Sequence, residues 1–381
     1  MGRMDKKRRA LALIIDAFGA PGGMAKFNRD FLCVLASHPL YCEVVAVPRS
    51  QPDDLSSSLP VKLRWDSGGL GGKLRYMLHI FRIVALDRRF DLVLCGHVNL
   101  LPVAWAARTL IGAPLALVIH GIEAWKPHRS TFVNRLARKA DYVFAVSETT
   151  KRRFVQWSSY PAERVFVLPN CIDTEQFRPR AKNIDLIKRY GLEGRKVLMT
   201  LGRLSSTERY KGIDEILEVM PQLIQQVPNL VYLVVGEGDD RDRLANKARS
   251  LALEGSVIFA GRIAEEEKVD HYNLADAFAM PGQGEGFGIV YLEAMACGLP
   301  VVGSQLDGSK DALQDGALGI LVDPRDSEDL SRGIREALKR PRGIPPALER
   351  SSYGQFETGL HAYLERITVH SFRHDISHED G

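Results

Sequence analysis

Short runs of apolar residues alternate along the chain with longer segments that have the apolar spacing of helices. The runs are nearly continuous in valine, isoleucine, leucine and alanine, which is typical of parallel strands buried on both faces. They are ALALIID, CEVVAVP, DLVLCG, PLALVIHG, YVFAVS and RVFVLPN, followed by KVLMTLGR, LVYLVVGEG, VIFAGR, AFAMPG, LPVVGS and GILVD. This alternation predicts an α/β protein with two doubly wound parallel sheets.

The boundary between the two predicted domains falls in CIDTEQFRPRAKNIDLIKRYGL. Pro179 and a polar stretch interrupt the strand signals there, and a new first strand begins at Lys196. We therefore expect an N-terminal domain over residues 1–180 and a C-terminal domain over residues 181–354. Because ligands of such sheets bind at the carboxyl ends of the strands, we expect both domains to face one cleft.

The segment GEGFGIVYLEAMACGLPVVG, residues 284–303, is the strongest candidate for a binding site. Its glycines permit close backbone approach, and the helix after them begins with unpaired N–H groups and a positive dipole end, which suits phosphate. Glu293, about two turns into the helix, is placed to grip a ribose diol, and Glu285 in the loop points at the group beyond the phosphates. Taken alone, the segment also fits a simpler interpretation, in which Glu285 is a solvated loop charge and Glu293 is an ordinary helix residue.

The segment LMTLGRLSSTERYKGIDEIL supplies two cations after the first strand of the second half. Arg203 and Lys211 there suit a diphosphate clamp, the arginine bidentate and the lysine as a point charge, although two surface cations are the alternative. The nearby VVGEGDDRDRL has Arg241 where a dinucleotide fingerprint requires glycine, so an NAD site is not predicted.

In the first half, a glycine pair and a histidine follow predicted strands. Gly22 and Gly23 allow backbone amides to approach a phosphate or a sugar, or they form a plain tight turn. His120 stands at the carboxyl end of a strand, where a functional role competes with a structural one. Glu123 is placed to orient His120 or to cap a helix.

Composition and charge bound the kind of protein. The 381 residues are 45% hydrophobic and 26% charged, no apolar run is long enough for a membrane span, and the dispersed five cysteines predict reduced thiols in the cytoplasm. Net charge is +4, but residues 1–180 hold 27 Lys and Arg against 15 Asp and Glu, a net of +12, and the remainder holds 24 against 32, a net of −8. The basic half favours an anionic partner.

A basic amphipathic helix is predicted in GGKLRYMLHIFRIVALDRRF, residues 71–90. Such a helix can rest on an anionic lipid surface, or it can pack on the core with its arginines solvated. Together with the charge asymmetry it favours peripheral contact with the inner face of the cell membrane and a lipid-linked or otherwise anionic acceptor. Nucleic-acid binding is not predicted, since the basic half lacks interleaved aromatics and any recognisable module.

Several motifs occur in a fixed order along residues 10 to 365. They are PGG (21–23), HG (120–121), LPNCIDTEQFRP (168–179), LGRL with KG (201–204 and 211–212), VVGEGDDRDRL (234–244), VIFAGRI (257–263), GEGFGIVYLEAMACGLPVVGS (284–304) and GILVDPRD (319–326). In this order they resemble glycosyltransferase family 4, the retaining, nucleotide-sugar-dependent transferases with the GT-B fold of two Rossmann-like domains. The spacing of Glu285 and Glu293 is the most specific match. The resemblance implies that residues 355–381 cross back as a helix onto the N-terminal, acceptor-binding domain.

The resemblance also implies roles for particular residues. Arg203 and Lys211 would hold the donor diphosphate and neutralise the leaving group, and Glu293 would hold the ribose. The remaining contacts would be Glu285 and the backbone of Phe287, Gly288 and Ile289 to the transferred sugar and phosphates, Gly23 to the diphosphate, His120 to the sugar ring, and Arg262 with Ile263 to the base. The family pattern departs in the inserted ERY before Lys211 and in Asp307-Gly308, where a glycine pair is usual.

The predicted activity is metal-independent transfer of a hexosyl residue from a UDP- or GDP-sugar to a glycan or lipid-linked acceptor, in polysaccharide or glycolipid synthesis. No separate cofactor is expected, because the nucleotide sugar is the substrate. Retention can proceed by double displacement through a carboxylate or by a front-face route in which the leaving phosphate accepts the acceptor's proton, and the resemblance favours the latter. The alternatives are a nucleotide-sugar epimerase and a non-catalytic, nucleotide-sugar-binding partner subunit.

Overall fold

The computed structural model describes residues 7–19, 22–50 and 58–376, with side chains up to residue 367. The chain divides into two compact units, one of Met1–Asn170 with Gly354–Gly381 and one of Cys171–Tyr353. The predicted boundary after residue 180 therefore lies inside the second unit. Residues 171–180 belong there because the Arg180 amide donates to Asn273 Oδ1 at 2.8 Å and Phe177 packs edge-on against Tyr272.

Within the described residues, the first unit holds a seven-stranded sheet in the order β3-β2-β1-β4-β5-β6-β7, in which every pairing is parallel. Its strands are β1 Arg8–Ile14, β2 Tyr41–Pro48, β3 Leu63–Trp65, β4 Leu92–Cys95, β5 Leu115–Ile119, β6 Tyr142–Ala145 and β7 Val165–Val167. The central strands are buried along their length, as their continuous apolar runs predict. The short edge strand β3 was not predicted, because the exposed Arg64 stands in its middle.

Helices pack on both faces of this sheet. They are α1 Gly23–Ser37, α2 Lys73–Leu86, α3 Leu101–Ile111, α4 Thr131–Ala137, α5 Glu148–Ser158 and, at the end of the chain, α13 Tyr353–Ile376. The last helix returns to the first unit: Phe356 meets Phe27 edge-on, and the Tyr363 hydroxyl donates to the Val167 carbonyl at 3.0 Å. These contacts join α13 to α1 and β7; residues 377–381 of the predicted crossing segment lie outside the described part of the chain.

The described part of the second unit holds a six-stranded sheet in the order β10-β9-β8-β11-β12-β13, again with parallel pairings only. Its strands are β8 Lys196–Leu201, β9 Leu230–Val235, β10 Val257–Gly261, β11 Ala277–Ala279, β12 Val301–Ser304 and β13 Ile320–Val322. Its helices are α6 Ile184–Tyr190, α7 Ile213–Gln226, α8 Arg241–Ser250, α9 Lys268–Leu274, α10 Ile289–Ala296, α11 Ser309–Ala312 and α12 Ser327–Lys339. Each predicted run in this half contains one of these strands.

The apolar residues of helix α2 lie on two faces, one buried and one exposed. Ile80, Ile83 and Val84 are buried against the sheet, whereas Leu74 is 69% and Leu78 60% exposed. Lys73, Arg75, Arg82 and the nearby Arg88 are exposed as well. In the described residues, no helix is both long and apolar enough to cross a membrane.

Candidate functional site

In each unit, the strand order reverses at one place in the sheet. The reversal lies between β1 and β4 in the first unit and between β8 and β11 in the second. At such a switch point the connections leave to opposite sides of the sheet, which opens a crevice at the carboxyl ends of the strands. The loops that follow β8 and β11 carry Arg203 and Glu285, and the loop that follows β4 carries His97, next to His120 after β5.

Asp307 anchors the glycine-rich loop after β11 through hydrogen bonds. The buried Asp307 accepts a hydrogen bond from the Glu285 amide at 2.8 Å through Oδ2 and one from the Ser309 amide at 3.0 Å through Oδ1. The Gly308 amide donates to the Glu285 carbonyl at 2.8 Å, so the two loops are joined in both directions. Burial raises the pKa of Asp307 to about 7.

Arg203 and Lys211 lie together, as predicted, and a third residue connects them. The carboxylate of Glu208 pairs with Arg203 through Oε1 and with Lys211 through Oε2, each at 2.7 Å. The side chains of Glu208 and Lys211 are 17% and 14% exposed, whereas that of Arg203 is 70% exposed. Lys211 is therefore held in a largely buried ion pair, whereas the ion pair of Arg203 is open to solvent.

The inserted ERY motif attaches this cation pair to two neighbouring loops. Arg209 pairs with Asp240 at 3.0 Å, in the loop after β9. The Tyr210 carbonyl accepts from the Gln283 amide at 2.7 Å, and a Cβ placed on Gly284 would lie 2.6 Å from the Tyr210 ring. The insertion thus packs directly against the glycine-rich loop, a contact that only glycine at position 284 permits.

Glu285 lies on the glycine-rich loop after β11, and the charges around it shift the pKa of its carboxyl group. Burial raises the pKa of its carboxyl group, while the Lys211 ammonium and the backbone N–H groups of Phe287 and Gly286 act in the opposite direction. Glu208 adds to the increase by like-charge repulsion. The structure therefore places Lys211 and Glu208 in the electrostatic environment of Glu285.

Helix α10 begins directly behind this loop. Gly288, at its N-cap, has φ +89°, and a Cβ there would lie 2.3 Å from the Tyr291 ring. Phe287 and Ile289 on either side are buried, and the first turn of α10 carries no acidic residue. The first turn of α10 thus brings no carboxylate of its own, and the Glu285 carboxylate just before it accepts from the Phe287 amide.

Glu293 sits deeper than the sequence suggested. It is 2% exposed, its Oε2 accepts from the Tyr272 hydroxyl at 2.7 Å, and its Oε1 lies 3.6 Å from the Lys268 ammonium. Lys268 also pairs with Glu265 at 2.8 Å. Glu293 is therefore an ion-paired, nearly enclosed carboxylate.

Arg262 and Ile263 follow β10, the edge strand of the second sheet. Arg262 is exposed and Ile263 is half-buried. The structure shows no contact of either with Arg203, Lys211 or Glu285 among the described residues. They stand two strands away from β8 in the sheet order.

In the first unit, His120 is held on three sides. Glu123 Oε1 accepts from its backbone amide at 2.5 Å, its Nε2 lies 3.0 Å from the Gly96 carbonyl oxygen, and Phe27 meets its ring edge-on at 5.4 Å. Glu123 thus closes the loop rather than contacting the imidazole. Gly23 is the first residue of α1, directly after Gly22 with φ +106°.

Several residues that build these sites were given no role from the sequence: Glu208, Tyr210, Asp307, Lys268, Tyr272 and His97. Glu208 stands three residues before Lys211, a spacing that signals a local pair. Tyr272 and Asp307 lie more than twenty residues from the glutamates they bind, so no local pattern announces them. No group of three His, Cys, Asp or Glu residues suited to a metal ion occurs in the portion of the chain that the structure describes.

Comparison with solved structures identifies the fold. The crystal structure of Anabaena Alr3699/HepE in complex with UDP and glucose superposes with a TM-score of 0.75 at 21% identity, covering 94% of this chain and all of that one. The two parallel-sheet units are thus those of the GT-B glycosyltransferase fold, which confirms the predicted fold class.

Family comparison then defines the family. The model for Glycosyltransferase Family 4 matches residues 21–176, and that for Glycosyl transferases group 1 matches residues 183–354. Together they span most of the chain, and the protein belongs to glycosyltransferase family 4, as predicted.

Two relatives within the family match this chain over different lengths. A GDP-mannose-dependent alpha-(1-6)-phosphatidylinositol monomannoside mannosyltransferase of Mycolicibacterium smegmatis is 36% identical over 237 residues, 58% of this chain and 60% of that protein. The match thus spans about three fifths of that relative's length. A GDP-mannose-dependent monoacylated alpha-(1-6)-phosphatidylinositol monomannoside mannosyltransferase of Corynebacterium glutamicum is 28% identical over 89% of this chain and 91% of its own.

Proposed function

We propose that the protein is a retaining glycosyltransferase that moves a hexosyl residue from a nucleotide-diphosphate sugar to a glycan or lipid-linked acceptor. The observation that carries the proposal is the pairing of Arg203 and Lys211 on Glu208, beside the glycine-rich loop of Glu285 and the start of α10. Relatives named for GDP-mannose and for phosphatidylinositol mannosides support GDP-mannose as the first donor to test and a lipid-linked acceptor. UDP-sugars are the second choice.

Two cations and a helix N-terminus suit a leaving diphosphate. Negative charge accumulates on that group as the bond to the sugar breaks, and fixed positive groups stabilise it more in the transition state than in the ground state. We assign this task to Arg203 and Lys211, with the backbone N–H groups of Phe287, Gly288 and Ile289. Because these groups supply positive charge at the diphosphate, the proposed reaction is metal-independent and uses no separate cofactor.

The remaining donor contacts are assigned by position. Glu293 would accept the ribose hydroxyls at Oε1, and Glu285 would accept hydroxyls of the transferred sugar. Arg262 and Ile263 would border the base. In the first unit, Gly23 and His120 are proposed to contact the diphosphate and the sugar ring.

A front-face displacement accounts for retention with the groups available. The bond from the anomeric carbon to the diphosphate oxygen breaks, the acceptor oxygen bonds to the same face of that carbon, and its proton passes to the departing phosphate oxygen. The phosphate thus serves as the base, and no protein carboxylate has to reach the far face of the sugar. Lys211, fixed by Glu208, would hold the phosphate in place for this transfer.

Helix α2 supports acceptance of a substrate at a membrane surface. Leu74, Met77 and Leu78 form an exposed apolar stripe, and Lys73 and Arg75 stand beside it. A helix with this pattern can lie in the headgroup region of an anionic membrane. We therefore propose that the protein works at the cytoplasmic face of the cell membrane, bound peripherally through the first unit.

Release of nucleoside diphosphate tests the function. The purified protein is incubated with UDP-, GDP- and ADP-sugars, with and without a lipid extract, beside Lys211→Ala, Glu285→Ala and the control Lys188→Ala on the exposed surface of α6. We expect release from one donor that lipid increases, that both site variants lose and that the control retains. Donor interconversion without an acceptor would indicate an epimerase, and nucleotide binding without release would indicate a binding subunit; either result overturns the proposal.

A further inference from the structure

Two histidine rings lie side by side at the switch point of the first sheet. His97 follows β4, and His120 follows the neighbouring strand β5. Their ring centroids are 6.5 Å apart and the rings are inclined by 21°. His97 is only 8% exposed, although its position after a central strand places it where ligands of such sheets bind.

Backbone partners determine which nitrogen of each ring carries the proton. The Asn99 amide donates to His97 Nδ1 at 3.1 Å, so this nitrogen is unprotonated and a neutral ring carries its hydrogen on Nε2. His120 Nε2 lies 3.0 Å from the Gly96 carbonyl oxygen, which can only accept, so Nε2 is the protonated nitrogen and Nδ1 is not. Both neutral rings therefore carry their hydrogen on Nε2. The nitrogen that remains unpartnered is a donor in His97 and an acceptor in His120.

Both rings are neutral at physiological pH. Burial lowers the pKa of His120 to about 4 and, as the largest cause, that of His97 to about 4. Around His97, Glu123 favours the protonated ring, whereas His120 and His128 disfavour it. Near neutrality, the pair therefore presents one N–H donor, His97 Nε2, and one acceptor, His120 Nδ1.

Neither atom has a hydrogen-bond partner among the described residues. Neither nitrogen is fully enclosed, so water or a ligand can reach both. The rings are nevertheless held rigidly, His97 by Asn99 and His120 by Gly96 and Phe27. One hydrogen-bond donor and one acceptor, held in a fixed arrangement, indicate a ligand that can both accept and donate a hydrogen bond.

We propose that His97 and His120 together bind the hydroxyl groups of a sugar or polyol, with His97 Nε2 donating and His120 Nδ1 accepting. A hydroxyl can fill both roles, whereas an ionised phosphate cannot donate to His120 and an ammonium group cannot accept from His97. The inference rests on the proposed function, which supplies two sources of such hydroxyls, the transferred sugar and the acceptor. It adds His97 as a sugar-binding residue.

Nuclear magnetic resonance of the histidine rings tests the inference on the full chain. Long-range ¹H–¹⁵N spectra at pH 7.5 should show both rings with the proton on Nε2 before any ligand is added. GDP-mannose and UDP-glucose are then titrated beside GDP, UDP and myo-inositol. Shifts of His97 Nε2 and His120 Nδ1 with a nucleotide sugar but not its nucleotide identify the transferred sugar as the ligand, and shifts with myo-inositol identify the acceptor. Other tautomers, or no shift with any probe, overturn the inference.

Two variants separate binding from folding. His97→Asn keeps an acceptor for the Asn99 amide and removes the distal donor, and His97→Phe removes both. We expect either change to lower kcat/KM by about 10-fold, the value of one lost hydrogen bond, with the affinity for the nucleoside diphosphate unchanged. The control His79→Phe, on α2, should retain kcat/KM.

The outcomes distinguish this inference from the function on which it rests. An active transferase whose kcat/KM is unchanged in both His97 variants retains the proposed function and loses the hydroxyl site. A protein that releases no nucleoside diphosphate loses the proposed function, and its histidine spectra with the sugar probes still decide the site.

Discussion

Replacing Gly308 by alanine should move the glycine-rich loop without disturbing any charge. Gly308 has φ −67° and ψ −9°, a conformation that alanine adopts freely, so the substitution acts through its methyl group alone. An ideal Cβ at this position would lie 2.0 Å from the Gly286 carbonyl oxygen and 2.8 Å from that of Glu285. Both obstacles are backbone atoms, which cannot rotate aside.

The size of the displacement follows from these distances. Real Cβ atoms essentially never approach another heavy atom within 3.0 Å, so the Gly286 carbonyl has to retreat by roughly 1 Å. The loop is held by the Tyr210 ring and by Asp307, so it cannot shift as a whole without breaking one of these contacts. A misplacement of about 1 Å in a binding site costs on the order of 100-fold in activity, and overpacking costs about 1–3 kcal/mol of stability.

Calorimetric titration with GDP and UDP measures the effect, and urea denaturation shows whether the variant is folded. We expect Gly308→Ala to unfold cooperatively and to bind the nucleotide at least tenfold more weakly than the wild type. The control is Gly343→Ala in the same unit, where an added Cβ meets nothing within 4 Å. Wild-type nucleotide affinity in a folded Gly308→Ala variant would refute the conclusion that this loop forms the diphosphate site.

Three further expectations follow from single contacts. Tyr272→Phe leaves Oε2 of the buried Glu293 without its donor, so it should lower the free energy of unfolding in urea by about 1–3 kcal/mol and weaken nucleotide binding; an unchanged unfolding curve would contradict the burial described here. Burial raises the pKa of Asp307 to about 7, so the folded protein holds this proton more tightly than the unfolded chain and the free energy of unfolding falls as pH rises from about 4 to 7. Relative to Asp307→Asn, which cannot titrate, the wild type should lose about 1.4 kcal/mol per pH unit in the middle of that range, and parallel pH profiles would disprove the shift. Leu78→Glu on α2 should reduce sedimentation with phosphatidylglycerol vesicles at least tenfold, whereas Val61→Glu, at a more exposed apolar residue off the helix, should not; equal loss in both would speak against α2 as the contact.

The parts of the fold that were predictable are those that depend on local sequence. A strand buried on both faces needs an apolar residue at nearly every position, so composition alone predicts β1, β5 and β9. The glycine-rich loop and α10 are likewise local, since the stop at Gly298 and Pro300 marks the helix end. The edge strand β3 lacks this signal because it is three residues long and has one face toward solvent.

The partners of the candidate site residues depend on the folded chain. Glu293 meets Tyr272 across 21 positions, and the Glu285 amide meets Asp307 across 22. The sequence shows the ERY insertion and the Asp307-Gly308 departure, but it does not show that Glu208 joins the two cations or that Gly308 touches Gly286. Residue types can identify a phosphate-binding loop, whereas the carboxylates that position its cations follow from tertiary contact.

The charge of each half does not locate the anion site, because the proposed diphosphate contacts lie in the acidic half of the chain. Asp214, in the first turn of α7, is already paired with Arg243 at 2.6 Å and with Lys247 at 2.8 Å. Asp214 lines the same pocket as Arg203 and Lys211, but because it is paired with two cations it opposes a bound anion less than a free carboxylate would. The positive groups proposed to contact a diphosphate are therefore Lys211, the exposed Arg203 and the N-terminal end of α10. We propose that the surplus positive charge of the basic half instead attracts an anionic membrane, at the exposed apolar stripe of α2.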